Sequence, residues 1–274
     1  MPDASLFDVN PQSLAPARAL CHAAIQWPSR AARANLPAAS DDGHSNLGWH
    51  DDLLALVGHP LAEARRAQLG FRFSDCQLLW LASGTVTDAL DCANQTDATI
   101  TDWCNTHLAA SGLRGVEYAE MPYALDAVDY AGFADAGIRE QTRVLGAWYA
   151  GAQTALAAVT ARFRERAVEA PALRCWPHHF DLGVLFALDD GDPERARSVG
   201  MGLSPGDASY AEPYYYCTPW PTPDALPEPP APMRWHREGF VSMVMPATRM
   251  GAGTDVTELL TKAARMAFTV LEDA

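Results

Sequence analysis

Lysine is nearly missing from this sequence. Of twenty basic residues nineteen are arginine, and only Lys262 is lysine. Schiff-base chemistry needs a reactive amine, and the one available lies in a predicted terminal helix. Positive charge as a whole is scarce: 20 Lys and Arg face 34 Asp and Glu, giving a net charge of -14. A surface of that sign repels phosphate backbones and anionic lipid, so neither nucleic acid nor a membrane is expected as a partner. No block of like charge is long enough to form a tail. No apolar run reaches about 18 residues, the length that suggests a membrane span. The opening M-P-D-A-S-L-F-D has no basic region and no long apolar stretch, so it does not read as a secretory signal. The six cysteines (Cys21, Cys76, Cys92, Cys104, Cys175 and Cys217) form no C-x-x-C pair, which argues against a zinc knuckle or a thioredoxin-like motif. These absences point to a cytoplasmic protein with reduced thiols.

What is present is a chain of 274 residues, 49% apolar, enough for one large core or two small ones. Residues 11–35 read as a helix capped by Ser13, with Leu14, Ala17, Cys21 and Ile25 on one face. Trp27-Pro28 is a place for that helix to kink or stop. Strands are expected over 45–58, 69–82 and 84–92, then a helix over 97–111. Residues 113–135 are irregular. A long helix over 136–166 carries the stripe Leu145, Trp148, Ala152, Leu156, Val159 and Phe163. Strands follow over 173–188, Val199–Leu203 and Pro213–Thr218. Residues 219–232 hold seven prolines in fourteen positions and read as an extended surface spacer outside any sheet. A last strand over Phe240–Pro246 leads to a C-terminal helix capped by Thr254. The expected class is α+β, an antiparallel or mixed sheet packed by long helices. The order suggests two similar α-β-β-β-α halves, 1–135 and 136–274, building one unit.

The stretch W176-P-H-H-F-D-L-G-V-L-F186 places two histidines and an aspartate at the head of an apolar run. Read as one strand, it points His179 and Asp181 to the same side, beside Gly183, where a missing side chain leaves room. An imidazole beside a carboxylate suits a general base with its orienting partner, or two metal ligands. It equally suits a polar pair with a purely structural role. A second cluster, G200-M-G-L-S-P-G-D-A-S-Y-A-E-P-Y-Y-Y216, gathers Asp207, Glu212, Tyr214 and Tyr216. Pro205-Gly206 fits a type II turn with Gly206 at positive φ. Gly202-Leu-Ser204-Pro-Gly206 matches G-x-S-x-G literally, but Pro205 lacks the N–H that a nucleophile elbow uses for its oxyanion hole. G200-x-G-x-x-x-G206 is one residue too long for a dinucleotide fingerprint. In the first half, His22 and Gln26 share a helix face, and His44 opens the first expected strand.

With these residues in view, W176-P-H-H-F-D181, G202-L-S-P-G-D207 and E212-P-Y-Y-Y216 resemble an uncharacterised bacterial family carrying W-P-x-H-F-D, S-P-G-D and E-P-Y-x-Y. A more distant group of unknown function is similar over most of the chain, with an H-x-x-x-Q helix matched by His22 and Gln26 and a strand histidine matched by His44. His178 departs from the acidic residue of the commoner pattern. The resemblance implies a shared α+β fold and a shared pocket, and no reaction. Two functions are thus expected. One is a polar small-molecule pocket, hydrolytic or proton-transferring, with His179 and Asp181 as the catalytic pair. His22, Gln26, His44, Asp207, Glu212, Tyr214 and Tyr216 would bind the ligand. The other is a non-catalytic ligand-binding or assembly protein in which the same residues form a structural network. No motif specifies a cofactor, and a divalent metal is compatible with the pair.

Overall fold

The computed structural model describes residues 9–61, 66–125, 127–169, 171–191, 195–251 and 253–272. The described residues form four α-helices and eleven strands, which pair antiparallel. The fold is α+β. The chain divides into two compact units: Ser13–Gly146 with Cys175–Phe180, and Met1–Gln12 with Ala147–Arg174 and Asp181–Ala274.

The first of these units opens with a 3-10 turn, Pro11–Leu14, that runs into α1, Ala15–Asn35. Leu14 occupies the N-cap position and makes no side-chain cap, so Ser13 does not have the role its residue type suggested. The stripe Leu14, Ala17, Cys21 and Ile25 is fully buried, as its helical spacing predicts. The helix continues through the buried Pro28 to Asn35. Five strands then follow as a meander: β1 Leu47–His50, β2 Ala55–Gly58, β3 Gln68–Arg72, β4 Gln77–Ala82 and β5 Thr85–Asp91. Two of the expected strands, 45–58 and 69–82, are therefore hairpins. The first breaks at a 3-10 turn, Asp51–Leu53, with Leu54 at φ 49°, and the second turns at Cys76 with φ 59°. Neither break carries the Gly or Pro that marks most turns. Ser83 and Gly84, both at positive φ, make the two-residue turn between β4 and β5. The helix α2, Asp97–Ala110, starts at a capping box made by Thr96 and Thr99. The short strand β6, Arg174–Trp176, pairs with β1 through Cys175 and Leu47.

The helix α3, Ala136–Phe163, crosses from one unit's residues to the other's. The second unit then holds β7 Asp181–Ala187, β8 Ser198–Ser204, β9 Tyr214–Trp220, β10 Arg234–His236 and β11 Ser242–Pro246. Their order is β7-β8-β9-β11-β10. The expected single strand 173–188 is thus two strands, split where Phe180 takes φ 56°. The strand β9 continues through Pro219 into the proline-rich stretch. Pro219 is tolerated because it pairs with Val199 on one side only, while the β11 pairing ends at Cys217. Beyond that stretch lies β10, which was not foreseen. The helix-strands-helix order holds in each half, but the strand count per half exceeds three.

One face of this sheet is the core. Leu182, Val184 and Phe186 on β7, Val199, Met201 and Leu203 on β8, and Tyr215 and Cys217 on β9 are all buried. Phe186 meets Phe268 of α4, Val256–Glu272, edge-on at 5.7 Å, and Trp148 meets Tyr215 at 6.2 Å. Asp255 caps α4 by accepting from Glu258 N at 2.9 Å. Thr254, expected in that role, instead accepts from Gly251 N at 3.0 Å.

Candidate functional site

The opposite face of β7, β8 and β9 follows from the register. Gly183 pairs with Gly202, which pairs with Tyr216; Leu185 pairs with Gly200, which pairs with Thr218; Ser204 pairs with Tyr214. Directly paired residues of antiparallel strands share a face. The two glycines beside Tyr216 are required by its ring. A Cβ on Gly202 would lie 2.5 Å from the Tyr216 hydroxyl and 2.6 Å from Leu182 O, and one on Gly183 would lie 2.6 Å from that hydroxyl. The ring therefore lies across two strands, and its hydroxyl donates to Asp181 Oδ2 at the start of β7.

A second pair sits one row along. Tyr214 OH donates to Asp207 Oδ2 at 2.6 Å. Asp207 Oδ1 accepts from the backbone N–H groups of Ser209 and Tyr210, at 2.8 and 2.9 Å. Gly206 takes φ 111°, the positive value its turn needs, and its N–H donates to Ser204 Oγ at 3.2 Å. Burial pushes the Tyr214 phenol well above its usual pKa, and the Asp207 carboxylate and the charge of Asp181 push the same way. Tyr214 is therefore a neutral hydrogen-bond donor at ordinary pH, unsuited to act as a base. The rings of Tyr214 and Tyr216 are 6.4 Å apart, and Tyr210 packs on Tyr214 at 4.8 Å. Tyr210 OH bonds His236 Nδ1 at 3.0 Å. The last residue of W-P-H-H-F-D, the S-P-G-D turn and the two outer tyrosines of E-P-Y-Y-Y thus converge on one surface.

Glu212 does not join them. Its buried carboxylate accepts from Thr248 N at 2.6 Å and Thr248 Oγ1 at 2.9 Å, and so holds the 3-10 turn after β11.

His178 and His179 lie in the turn between β6 and β7, where strand alternation does not apply. Phe180 at positive φ breaks the spacing that would align His179 with Asp181. Asp181 begins the strand of the second unit, while the histidines belong to the first. His179 N and Phe180 N both donate to Trp176 O, at 3.1 and 2.7 Å. The turn is held from α1: His22 Nε2 donates to Pro177 O at 2.7 Å, and Gln26 Nε2 donates to the same carbonyl at 2.8 Å. Gln26 Oε1 accepts from Tyr123 OH at 2.9 Å, and the His22 ring stacks on Phe180 at 5.4 Å. The H-x-x-x-Q pair therefore grips backbone. The imidazoles of His178 and His179 are 4.2 Å apart and keep solvent-facing sides. Desolvation against the surrounding rings, then the neighbouring His179, push the His178 pKa down to about 4.

His44 lies in a 3-10 turn, Gly43–Ser45, ahead of β1, and its Nδ1 accepts from Ala39 N at 3.1 Å. It is a loop residue, and the strand begins three positions later. A histidine–carboxylate pair does form elsewhere: His107 Nε2 to Asp88 Oδ2 at 2.8 Å, with the Trp80 ring stacked on the imidazole at 5.0 Å. It ties α2 to β5. Among the described residues no group of three His, Cys, Asp or Glu side chains is placed to hold a metal ion, and no helix is long and apolar enough to cross a membrane.

No family model, curated protein or solved structure matches this chain.

Sequence reasoning missed Tyr210 and His236 as members of the tyrosine cluster, and Gly202 as its floor. Gly202 had a legible signal: at strand spacing it shares a face with Ser204, as Tyr214 does with Tyr216. His236 had none, because its position depends on β10 pairing with β11.

Proposed function

We propose that this protein binds a polar small molecule on the outer face of β7–β9 and carries out proton transfer or hydrolysis there. The carrying observation is the pair of tyrosine–carboxylate hydrogen bonds, Tyr216 to Asp181 and Tyr214 to Asp207, converging from three separate motifs. In each pair the phenol donates to the carboxylate and fixes its orientation. Asp181 is the candidate proton acceptor, and Tyr214 and Tyr216 are positioning residues. His179, in the exposed turn, is kept as a second candidate base. The six cysteines are free and buried, which supports a reducing, cytoplasmic setting.

A non-catalytic reading is favoured by a different observation. Several of the expected site residues are occupied with holding the chain: Glu212 with Thr248, and His22 and Gln26 with Pro177 O. In that reading the tyrosine–carboxylate pairs are one more such network.

The two separate by experiment. Thermal-shift screening against a metabolite panel, followed by hydrolase assays on the hits, is run on the wild type, Asp181→Asn and Tyr216→Phe. A ligand that stabilises the wild type and loses its effect in Asp181→Asn supports the small-molecule site, and turnover that falls with it supports catalysis. Ligands indifferent to both substitutions, with both variants merely less stable, would sink the proposal in favour of the structural network.

A further inference from the structure

Three tyrosines of this surface differ in what accepts their protons. Tyr214 and Tyr216 donate to carboxylates, Asp207 and Asp181. Tyr210 pairs with an imidazole instead: its hydroxyl lies 3.0 Å from His236 Nδ1. The direction of that bond is fixed from the far side of the ring. His236 Nε2 lies 2.6 Å from Glu238 O, and a carbonyl only accepts. In the neutral imidazole the single proton therefore sits on Nε2, Nδ1 is the acceptor, and the Tyr210 hydroxyl is the donor.

The acceptor decides what the phenol can do. Beside a carboxylate a phenol is held protonated, because ionising it would bring two negative charges together. Beside a neutral imidazole it can pass its proton across and leave a phenolate next to an imidazolium, which attract. A nucleophile, a base and a third group that orients the base are the arrangement that activates weak nucleophiles. Here they are Tyr210, His236 and the Glu238 carbonyl. The surroundings hold both rings in place. Asp207 N donates to Tyr210 O at 2.7 Å, and Tyr210 N donates to Asp207 Oδ1 at 2.9 Å. The His236 ring stacks on Phe240 at 4.1 Å. The Arg234 guanidinium lies 5.7 Å over the Tyr210 ring, where it favours the negative charge that a phenolate spreads into that ring. Tyr210 and His236 are only half-buried, so a small molecule can reach them. The Asp207 carboxylate and the net charge of -14 repel a phosphate ester, so the electrophile that fits is an uncharged acyl carbon. We propose that Tyr210, activated by His236, is a nucleophile that takes up the acyl group of an uncharged activated ester. The phenol oxygen bonds to the acyl carbon and its proton passes to His236 Nδ1. The ester C–O bond breaks, and the leaving alcohol carries that proton away. This site does not depend on the ligand face over β7–β9, and either can fail without the other.

The test treats the full chain with p-nitrophenyl acetate and follows acetyl-tyrosine by peptide mass spectrometry. Tyr118 is the internal reference. It is 57% exposed and has the Arg114 guanidinium 4.7 Å over its ring, but no histidine is bonded to it among the described residues. Tyr210 is expected to acetylate at least about tenfold faster than Tyr118, and about a hundredfold more slowly in His236→Asn than in the wild type. Asparagine keeps an acceptor for the Tyr210 hydroxyl without the basicity of imidazole, so a merely structural role of His236 would survive that change. Long-range ¹H–¹⁵N spectra of the wild type should show His236 protonated on Nε2 when neutral. The proposal is overturned if Tyr210 acetylates no faster than Tyr118, if His236→Asn leaves its rate unchanged, or if the neutral ring carries its proton on Nδ1. Should His236→Asn fail to fold, the wild-type ratio of Tyr210 to Tyr118 and the tautomer decide alone.

Discussion

Two polar clusters, one in each compact unit, make opposite use of their side chains. In the turn Cys175–Phe180, His22 and Gln26 spend their hydrogen bonds on one backbone carbonyl, Pro177 O. On the outer face of β7–β9, Tyr216 and Tyr214 spend theirs on carboxylates, Asp181 and Asp207. A side chain bonded to backbone fixes the path of the chain. A side chain bonded to a carboxylate on a partly open face fixes the direction of a reactive group. Both clusters came from equally polar stretches of sequence, so polarity alone did not distinguish holding from presenting.

The largest expected effect that breaks the presenting cluster is Gly202→Ala. The new methyl would sit 2.6 Å from Leu182 O and 2.5 Å from the Tyr216 hydroxyl, so strand or ring must move. We expect a loss of about 3 kcal/mol in urea unfolding, together with loss of any ligand that needs Asp181. Gln26→Leu breaks the holding cluster. It removes one of the two donors to Pro177 O and leaves the Tyr123 hydroxyl without that partner, which costs about 2 kcal/mol. Ligand binding at the β7–β9 face should survive where the protein stays folded. Equal losses of binding in both variants would remove the distinction drawn between the clusters.

The two clusters should also fail at opposite ends of the pH scale. The His178 pKa lies at about 4 in the fold against an ordinary value of 6.5. Between those values the unfolded chain binds the extra proton, so stability falls as pH drops from about 6.5 to about 4. His178→Gln should flatten that part of a melting-temperature profile. Tyr214 is shifted the other way: its folded pKa is raised, so stability is full below about 10 and falls as pH climbs above it. Tyr214→Phe should remove its share of that alkaline loss and leave the acid limb untouched. The smallest effect sharpens the comparison within one face. Gly200→Ala, with only Leu185 Cδ1 at 3.8 Å, should change stability by less than about 0.5 kcal/mol, in contrast with Gly202→Ala.

The helices were legible because their apolar stripes repeat at helical spacing over many turns. Buried Leu14, Ala17, Cys21 and Ile25 in α1, and Leu145, Trp148, Ala152 and Leu156 in α3, lie where periodicity placed them. The strands were legible as apolar runs but not as counts. Turns at Leu54, Cys76 and Phe180 use residues that rarely signal one. At Phe180 that mattered most, because a single positive φ cancelled the alternation on which the pairing of His179 with Asp181 depended.

By itself, the sequence determined the α+β class, the acidic surface, the long helices and the three motifs whose polar ends carry the candidate site. Composition and short-range periodicity suffice for these, since each depends on residues within a few positions of one another. Only the tertiary structure decided partners. Tyr216 reaches Asp181 across thirty-five positions, Glu212 turns to Thr248 instead, and Gln26 meets Pro177 across more than a hundred. Those contacts are set by strand register and by which glycines leave room for a ring, and both exist only once the strands have paired.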